Sequence, residues 1–125
     1  MVSPFQLYIN GQFEDGAAQF DSINPATGQV WAKMLEARTA EVNRAVSAAS
    51  QALQNVAWSG LTASQRGKLL YKLADLIEKA APQLAQYETH DTGKIIRETS
   101  SQIAYVAEYY RYYAGIADKL EGRYL

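Results

Sequence analysis

The segment from about Ser100 to Glu121 constrains the fold most, because it has helical periodicity and is apolar on more than one side. At 100° per residue, one apolar stripe comprises Ile103, Val106, Ala107, Tyr110, Tyr113, Ala114, Ala117 and Leu120. An adjacent stripe, called the tyrosine stripe below, comprises Tyr105, Tyr109, Tyr112 and Ile116. Together they cover roughly 220° of the helix, whereas a surface helix needs an apolar stripe of about 100°. We therefore expect contacts from two directions, the second requiring more protein than a fold of 125 residues offers.

The tyrosines in YYRYYAG (109–115) have a second interpretation, since an aromatic and basic cluster can stack nucleobases. The charge balance argues against it. The chain has 12 Lys and Arg against 13 Asp and Glu, a net charge of −1, so no excess positive charge attracts a phosphate backbone. We favour core and interface packing for the tyrosines, and a local ion pair with Glu108 for Arg111.

The first third of the chain is typical of β-hairpins. Residues 6–9 (QLYI) read as a strand, Asn10-Gly11 as a type I′ turn, and QFE as the return strand. A second extended pair is expected at 19–24 (QFDSIN) and 29–37 (QVWAKMLEA). The intervening NPATG segment predicts a turn.

From Thr39 onward the periodicity becomes helical. Thr39 is the expected N-cap of a first helix, with Glu41 in its first turn. The NVAWSGL segment interrupts the pattern, and Thr62-Ala63-Ser64-Gln65 is a capping box that opens a second helix.

Pro82 predicts the first turn of a third helix, which ends at Gly93 as its C-cap. The fourth helix is the one from about Ser100 to Glu121. Within it, Gly115 costs about 1 kcal/mol relative to alanine, which suggests a close approach to the backbone there. The sequence thus predicts an α+β chain: a β-hairpin region within 6–37, followed by about four helices within 39–121.

The residues themselves offer no reactive constellation. The chain has no cysteine and one histidine, His90, so thiolate catalysis is excluded and a zinc site lacks ligands. It has no G-x-S-x-G elbow, and Thr92-Gly93-Lys94 lacks the spacing of a phosphate-binding loop. The N-terminus does not read as a signal peptide, and no apolar run is long enough for a membrane span.

The order of short motifs is more informative. It runs LYINGQF, INPATGQV, Trp58, QRGKLLYKLADLIEK, ETHDTGK and YYRYYAGIADKLEG. This order closely resembles the opening part of NAD(P)-dependent aldehyde dehydrogenases, over residues from about 7 to 124. The resemblance implies an α/β parent fold in which residues 1–125 form part of a Rossmann-like cofactor-binding domain, without the catalytic and oligomerisation parts.

Enzymes of that family oxidise aldehydes to carboxylates with NAD or NADP, using a cysteine nucleophile and a glutamate-activated water. Those residues lie downstream of the matching region. The absence of cysteine fits a cytoplasmic protein. The resemblance implies a homo-oligomeric parent enzyme, with the rest of the chain, its oligomer mates and an aldehyde as partners. For the isolated chain we expect no activity and no bound cofactor, nucleic acid or membrane.

Two sites follow from the resemblance alone. Many members bind a monovalent cation through a backbone carbonyl and an aspartate, at positions matching Ile23 and Asp91. One face of the last helix lines the aldehyde tunnel, at positions matching Ser101 and Tyr105. Asp91 could instead cap local amides, and Tyr105 could serve interdomain packing. The sequence GKII (93–96) stands where the family commonly has GKP, which leaves the tunnel register uncertain by one residue.

One alternative of a different class stays open. The chain could be a free-standing helical interaction module that binds a partner, or itself, through the tyrosine-rich face, since a large exposed apolar patch marks an interaction site.

Overall fold

The computed structural model describes residues 5–119 and 121–122. The chain divides into two compact units. Unit 1 comprises Met1–Gly60 with His90–Gly93, and unit 2 comprises Leu61–Thr89 with Lys94–Leu125. Two antiparallel hairpins and four helices confirm the predicted α+β class.

Unit 1 begins with two hairpins. Their strands are β1 (Leu7–Ile9), β2 (Gln12–Glu14), β3 (Ala18–Asn24) and β4 (Gln29–Glu36). β1 pairs with β2 and β3 pairs with β4, both antiparallel. Asn10 and Gly11 have φ of 52° and 81°, and positive φ at both central residues is what a type I′ turn requires. The predicted hairpin at Asn10-Gly11 is confirmed.

Two helices complete unit 1: α1 (Thr39–Gln54) and the short α2 (Val56–Ser59). The predicted N-cap of α1 is wrong by one residue, since the cap is Arg38. The Glu41 carboxylate accepts a hydrogen bond from the backbone N–H of Arg38 at 2.9 Å, so the glutamate three residues on sets where the helix begins. This hydrogen bond is the largest cause that lowers the pKa of Glu41 below its ordinary value.

Unit 2 is built on α3 (Ala63–Thr92) and α4 (Ile96–Ile116), with residues 90–92 of α3 falling in unit 1. The predicted new helix at Pro82 is wrong, because α3 runs continuously through it. A proline inside a helix removes one hydrogen bond and costs about 3 kcal/mol. Ala74 and Ala85 are buried on either side of Pro82, and this packing holds the helix together across the missing bond.

The predicted ends of the last helix also need correction. α4 begins four residues before Ser100, because the N–H groups of Glu98 and Thr99 already bond to the Ile95 carbonyl. It ends at Ile116 rather than near Glu121, and the Lys119 ammonium donates to the Gly115 carbonyl at 2.7 Å. Leu120, assigned above to the first stripe, lies outside the described residues.

α3 and α4 pack antiparallel, as four contacts in order along them show. Ser64 bonds to Asp118 at 2.9 Å, Gly67 lies against the Ala114 carbonyl, Arg111 pairs with Asp75 at 2.9 Å, and Thr89 bonds to Thr99 at 2.8 Å. The buried residues of both helices are small: Gly67, Ala74, Ala85, Thr99, Ala107 and Ala114. Small residues let two helix backbones approach closely.

The buried apolar set is correspondingly slight. Among the described residues it consists of Ile9 and five alanines, at 32, 74, 85, 107 and 114. Thr99 is the largest side chain that is fully buried. In the described part of the chain, no helix combines the length and the apolar character needed to cross a membrane.

Candidate functional site

The C-terminal end of α3 contacts the β3–β4 hairpin within unit 1. Gly93 follows the helix with φ of 75°, the left-handed conformation expected of a C-cap glycine. A Cβ at Gly93 would lie 3.0 Å from Pro25 Cγ, so the hairpin turn closes on the helix end. The rings of His90 and Trp31 lie 5.7 Å apart at 57°. The lone histidine therefore packs against an indole.

A chain of two hydrogen bonds links Trp31 to Asp91 through Ser22. The Trp31 Nε1–H group donates to Ser22 Oγ at 2.9 Å, and the Ser22 hydroxyl donates to Asp91 Oδ1 at 2.6 Å. The directions are fixed, because an indole nitrogen only donates and an ionised carboxylate only accepts. We call these three residues the Trp31–Ser22–Asp91 relay.

A β-bulge makes this relay possible. Ser22 pairs with Ala32 while Ile23 pairs with Val30, so Trp31 is the extra residue in β4. Neighbouring side chains in a regular ladder point to opposite faces, and Trp31, next to Ala32, would then point away from Ser22. Bulges re-aim side chains, and here the bulge brings the indole N–H to the serine.

The predicted cation ligands, Ile23 and Asp91, lie at this same junction. Ile23 follows Ser22 directly, and Ser22 bonds to Asp91. A backbone carbonyl and a carboxylate form an all-oxygen donor set, which fits a hard cation. Among the described residues, no group of three or more His, Cys, Asp or Glu could hold a metal ion.

The tyrosine stripe is largely uncovered. Tyr105 is 66%, Tyr109 51% and Tyr112 63% exposed, whereas Ala107 and Ala114 of the first stripe are buried. The rings run along the helix, with centroids 5.9 Å apart for Tyr105 and Tyr109. The first stripe is packed at its alanines, although Val106 and Tyr113 on it are still 37% and 44% exposed, and the tyrosine stripe is the more open of the two.

Tyr113, which belongs to the first stripe, contacts the tyrosine stripe. The ring centroids of Tyr109 and Tyr113 are 5.0 Å apart and their hydroxyls 3.4 Å. The hydrogen bond with Tyr109 is the largest cause that raises the pKa of Tyr113 above its ordinary value.

The predicted tunnel residues, Ser101 and Tyr105, are both exposed and four residues apart on α4. That spacing places them on one face. Because Tyr109 follows four residues later, Ser101 extends the tyrosine stripe toward the start of the helix.

Arg111 has more partners than the sequence indicated. Besides Glu108 at 2.7 Å, it pairs with Asp75 at 2.9 Å and Glu78 at 2.6 Å on α3. The Asp75 hydrogen bond is the largest cause that raises the pKa of Arg111 further above its ordinary value. The local pair with Glu108 was visible at a spacing of three residues, but the two pairs across the helices were not.

Comparison with known proteins shows which family this chain resembles. A sequence model of the aldehyde dehydrogenase family matches residues 13–125. The "(Z)-2-((N-methylformamido)methylene)-5-hydroxybutyrolactone dehydrogenase" of Acinetobacter baylyi is 80% identical over 124 residues, covering 99% of this chain and 25% of that protein. The putative aldehyde dehydrogenase DhaS of Bacillus subtilis is 44% identical over 121 residues, covering 94% of this chain and 24% of that protein.

Solved structures agree. The NAD+ complex of an aldehyde dehydrogenase from Bacillus cereus superposes with a TM-score of 0.92 at 37% identity, covering 98% of this chain and 26% of that one. The chain spans about a quarter of the length of the curated relatives it matches. No comparison supports a free-standing interaction module. The chain belongs to the aldehyde dehydrogenase family, of which it represents an N-terminal portion.

Proposed function

We propose that this chain is the N-terminal part of an NAD(P)-dependent dehydrogenase that oxidises an aldehyde to a carboxylate. The observation that carries the proposal is the match of nearly the whole chain, at a TM-score of 0.92, to one end of an NAD+-bound aldehyde dehydrogenase. In that reaction an aldehyde and water yield a carboxylate, two protons leave, and one hydride reduces the nicotinamide. The chain has no cysteine, so the nucleophile comes from the rest of the enzyme.

Within the parent enzyme, this segment supplies surfaces and a cation site rather than reactive groups. The rest of the chain covers the tyrosine stripe, and Ser101 and Tyr105 line the path of the aldehyde. The Ile23 carbonyl and the Asp91 carboxylate hold a monovalent cation, which supplies a positive charge that ties the end of α3 to the β3–β4 hairpin. The parent enzyme is cytoplasmic and assembles as a homo-oligomer.

For the substrate class we propose that of the 80% identical relative, whose name specifies a 5-hydroxybutyrolactone. The carbon that carries the hydroxyl and the ring oxygen in such a lactone is at the oxidation level of an aldehyde. Ring opening exposes that aldehyde beside a carboxylate. We extend this class, an aldehyde acid in equilibrium with its hydroxylactone, to the parent of this chain.

A chimera tests the proposal directly. In it, residues 1–125 of this chain replace the matching quarter of the Acinetobacter baylyi relative. We expect the chimera to form NADH from the hydroxylactone, followed by absorbance. The matched controls are the relative without its first quarter and the 125-residue chain alone, and both should be inactive. A folded chimera that binds NAD but oxidises neither the hydroxylactone nor simple aldehydes would contradict the proposal.

A further inference from the structure

The Trp31–Ser22–Asp91 relay has a role beyond holding the hairpin. We infer that Ser22 and Trp31 are positioning residues, which aim the Asp91 carboxylate at a monovalent cation beside the Ile23 carbonyl. This inference rests on the cation site of the proposed function and names what sets its affinity.

Asp91 needs such a partner because of where it lies. It is exposed and stands one residue before the last of α3, so little packing restricts its side chain. A carboxylate that samples several rotamers loses affinity for a cation, because ordering it costs conformational entropy on binding. The 2.6 Å hydrogen bond from Ser22 fixes Oδ1, and we assign the other carboxylate oxygen, Oδ2, to the cation.

Ser22 is in turn fixed by Trp31. A serine hydroxyl rotates freely and can donate in several directions. Because Ser22 Oγ accepts the Trp31 N–H at 2.9 Å, its own proton is left for Asp91. The indole is held by the bulge and by its contact with His90 at 5.7 Å. The rigid Trp31 side chain therefore orients the flexible Ser22 hydroxyl.

The adjacency of Ser22 and Ile23 makes the arrangement specific. Ser22 carries the positioning hydroxyl and Ile23, the next residue of β3, carries the carbonyl ligand. One peptide unit therefore sets the distance between the two groups. Partners of this kind around a metal ligand typically change metal affinity by 10-fold to 100-fold when they are removed.

Sodium binding to the chimera tests the inference without relying on activity. Sodium chloride is titrated against choline chloride at constant ionic strength, and the sodium NMR line width reports binding. Ser22→Ala should weaken the sodium Kd by roughly tenfold, and Trp31→Phe, which keeps a ring but removes the N–H, by a smaller factor. Ser22→Thr, which keeps the hydroxyl, should restore most of the affinity.

Two control variants separate positioning from general damage. Ser47→Ala removes a hydroxyl whose hydrogen bond runs to Gln51 within α1, and Trp58→Phe removes the other indole of the chain. Both should leave the sodium Kd unchanged.

Asp91→Asn separates the two levels of the proposal. If it abolishes sodium binding while Ser22→Ala binds sodium as tightly as the wild type or tighter, the cation site stands and the positioning role is overturned. If Asp91→Asn binds sodium normally, the cation site itself fails, and the positioning role fails with it. Loss in Asp91→Asn, weakening in Ser22→Ala and rescue in Ser22→Thr together support the inference.

Discussion

Gly67 sets how closely α3 and α4 approach each other. A Cβ at this position would lie 2.7 Å from the Ala114 carbonyl oxygen and 3.4 Å from Ala117 Cβ. The nearer atom belongs to the backbone, so the helices must separate to admit it. We expect Gly67→Ala to destabilise the chain by about 1–3 kcal/mol, measured by urea unfolding of the 125-residue chain at low concentration, followed by circular dichroism.

Gly115→Ala is the matched control for that variant, in the partner helix. Its Cβ would lie 3.3 Å from the Tyr71 hydroxyl oxygen, the end of a flexible side chain that can move aside. Alanine also gains about 1 kcal/mol of helix propensity over glycine. We expect this variant to be neutral or stabilised. Equal unfolding midpoints for the two variants would show that Gly67 does not limit the helix spacing.

The sequence predicted residue-scale features where the interaction is local. In the capping box, the Thr62 N–H donates to Gln65 Oε1 at 2.8 Å and the Gln65 N–H donates to Thr62 Oγ1 at 3.2 Å. The four consecutive residues 62–65 had predicted this motif. The link from Ser22 to Asp91 spans 69 positions. It depends on tertiary packing that no local pattern encodes, so the relay was not predicted, although the resemblance had indicated Asp91.

At the scale of elements, the sequence predicted helix faces better than helix ends. The stripes of α4 follow from the 3.6-residue helical period, and each apolar residue along the helix is separate evidence for that period. Boundaries depend on single competing signals. Pro82 suits the first turn of a helix, but packing of the small residues on both sides kept α3 intact. The β4 bulge, which depends on the pairing with β3, had no signal in the sequence.

The continuity of α3 predicts the effect of Pro82→Ala. An alanine restores an N–H group to the helix interior and relieves the steric conflict of the proline ring. We expect stabilisation by about 1–3 kcal/mol, measured as a higher urea midpoint and slower amide exchange near residue 82. Unchanged stability would instead fit a helix that starts at Pro82, where proline is favourable. Gln83→Ala, at a neighbouring exposed position, is the control.

At the scale of the whole chain, the described residues bury only small apolar side chains and one isoleucine. The buried apolar set is Ile9 and five alanines, while Leu53, Leu76 and Tyr105 are each more than 60% exposed. Burying a Leu or Val side chain contributes about 1.5–3 kcal/mol. The exposed leucines of this chain obtain only a small part of that stabilisation. The over-apolar last helix had predicted this, because its periodicity demanded a second contact without specifying the partner.

This uncovered surface predicts how the isolated 125-residue chain behaves. Exposed apolar patches of this kind associate in water. The tyrosine stripe places three rings, each more than 50% exposed, on one face of α4. We therefore expect the sedimentation coefficient of the chain to rise with concentration. The double variant Tyr105→Ser, Tyr112→Ser should reduce that rise, because it removes two rings that are 66% and 63% exposed.

Tyr8→Ser is the control for that experiment, since Tyr8 is 64% exposed but belongs to unit 1 and not to the stripe. It should leave the concentration dependence as it is in the wild type. The chimera should reverse the pattern: if the rest of the enzyme covers the stripe there, as proposed, the double variant lowers stability without changing association. A wild-type chain that sediments as a monomer at every concentration would show that the tyrosine stripe needs no partner, and would remove the argument that it is half of an enzyme interior.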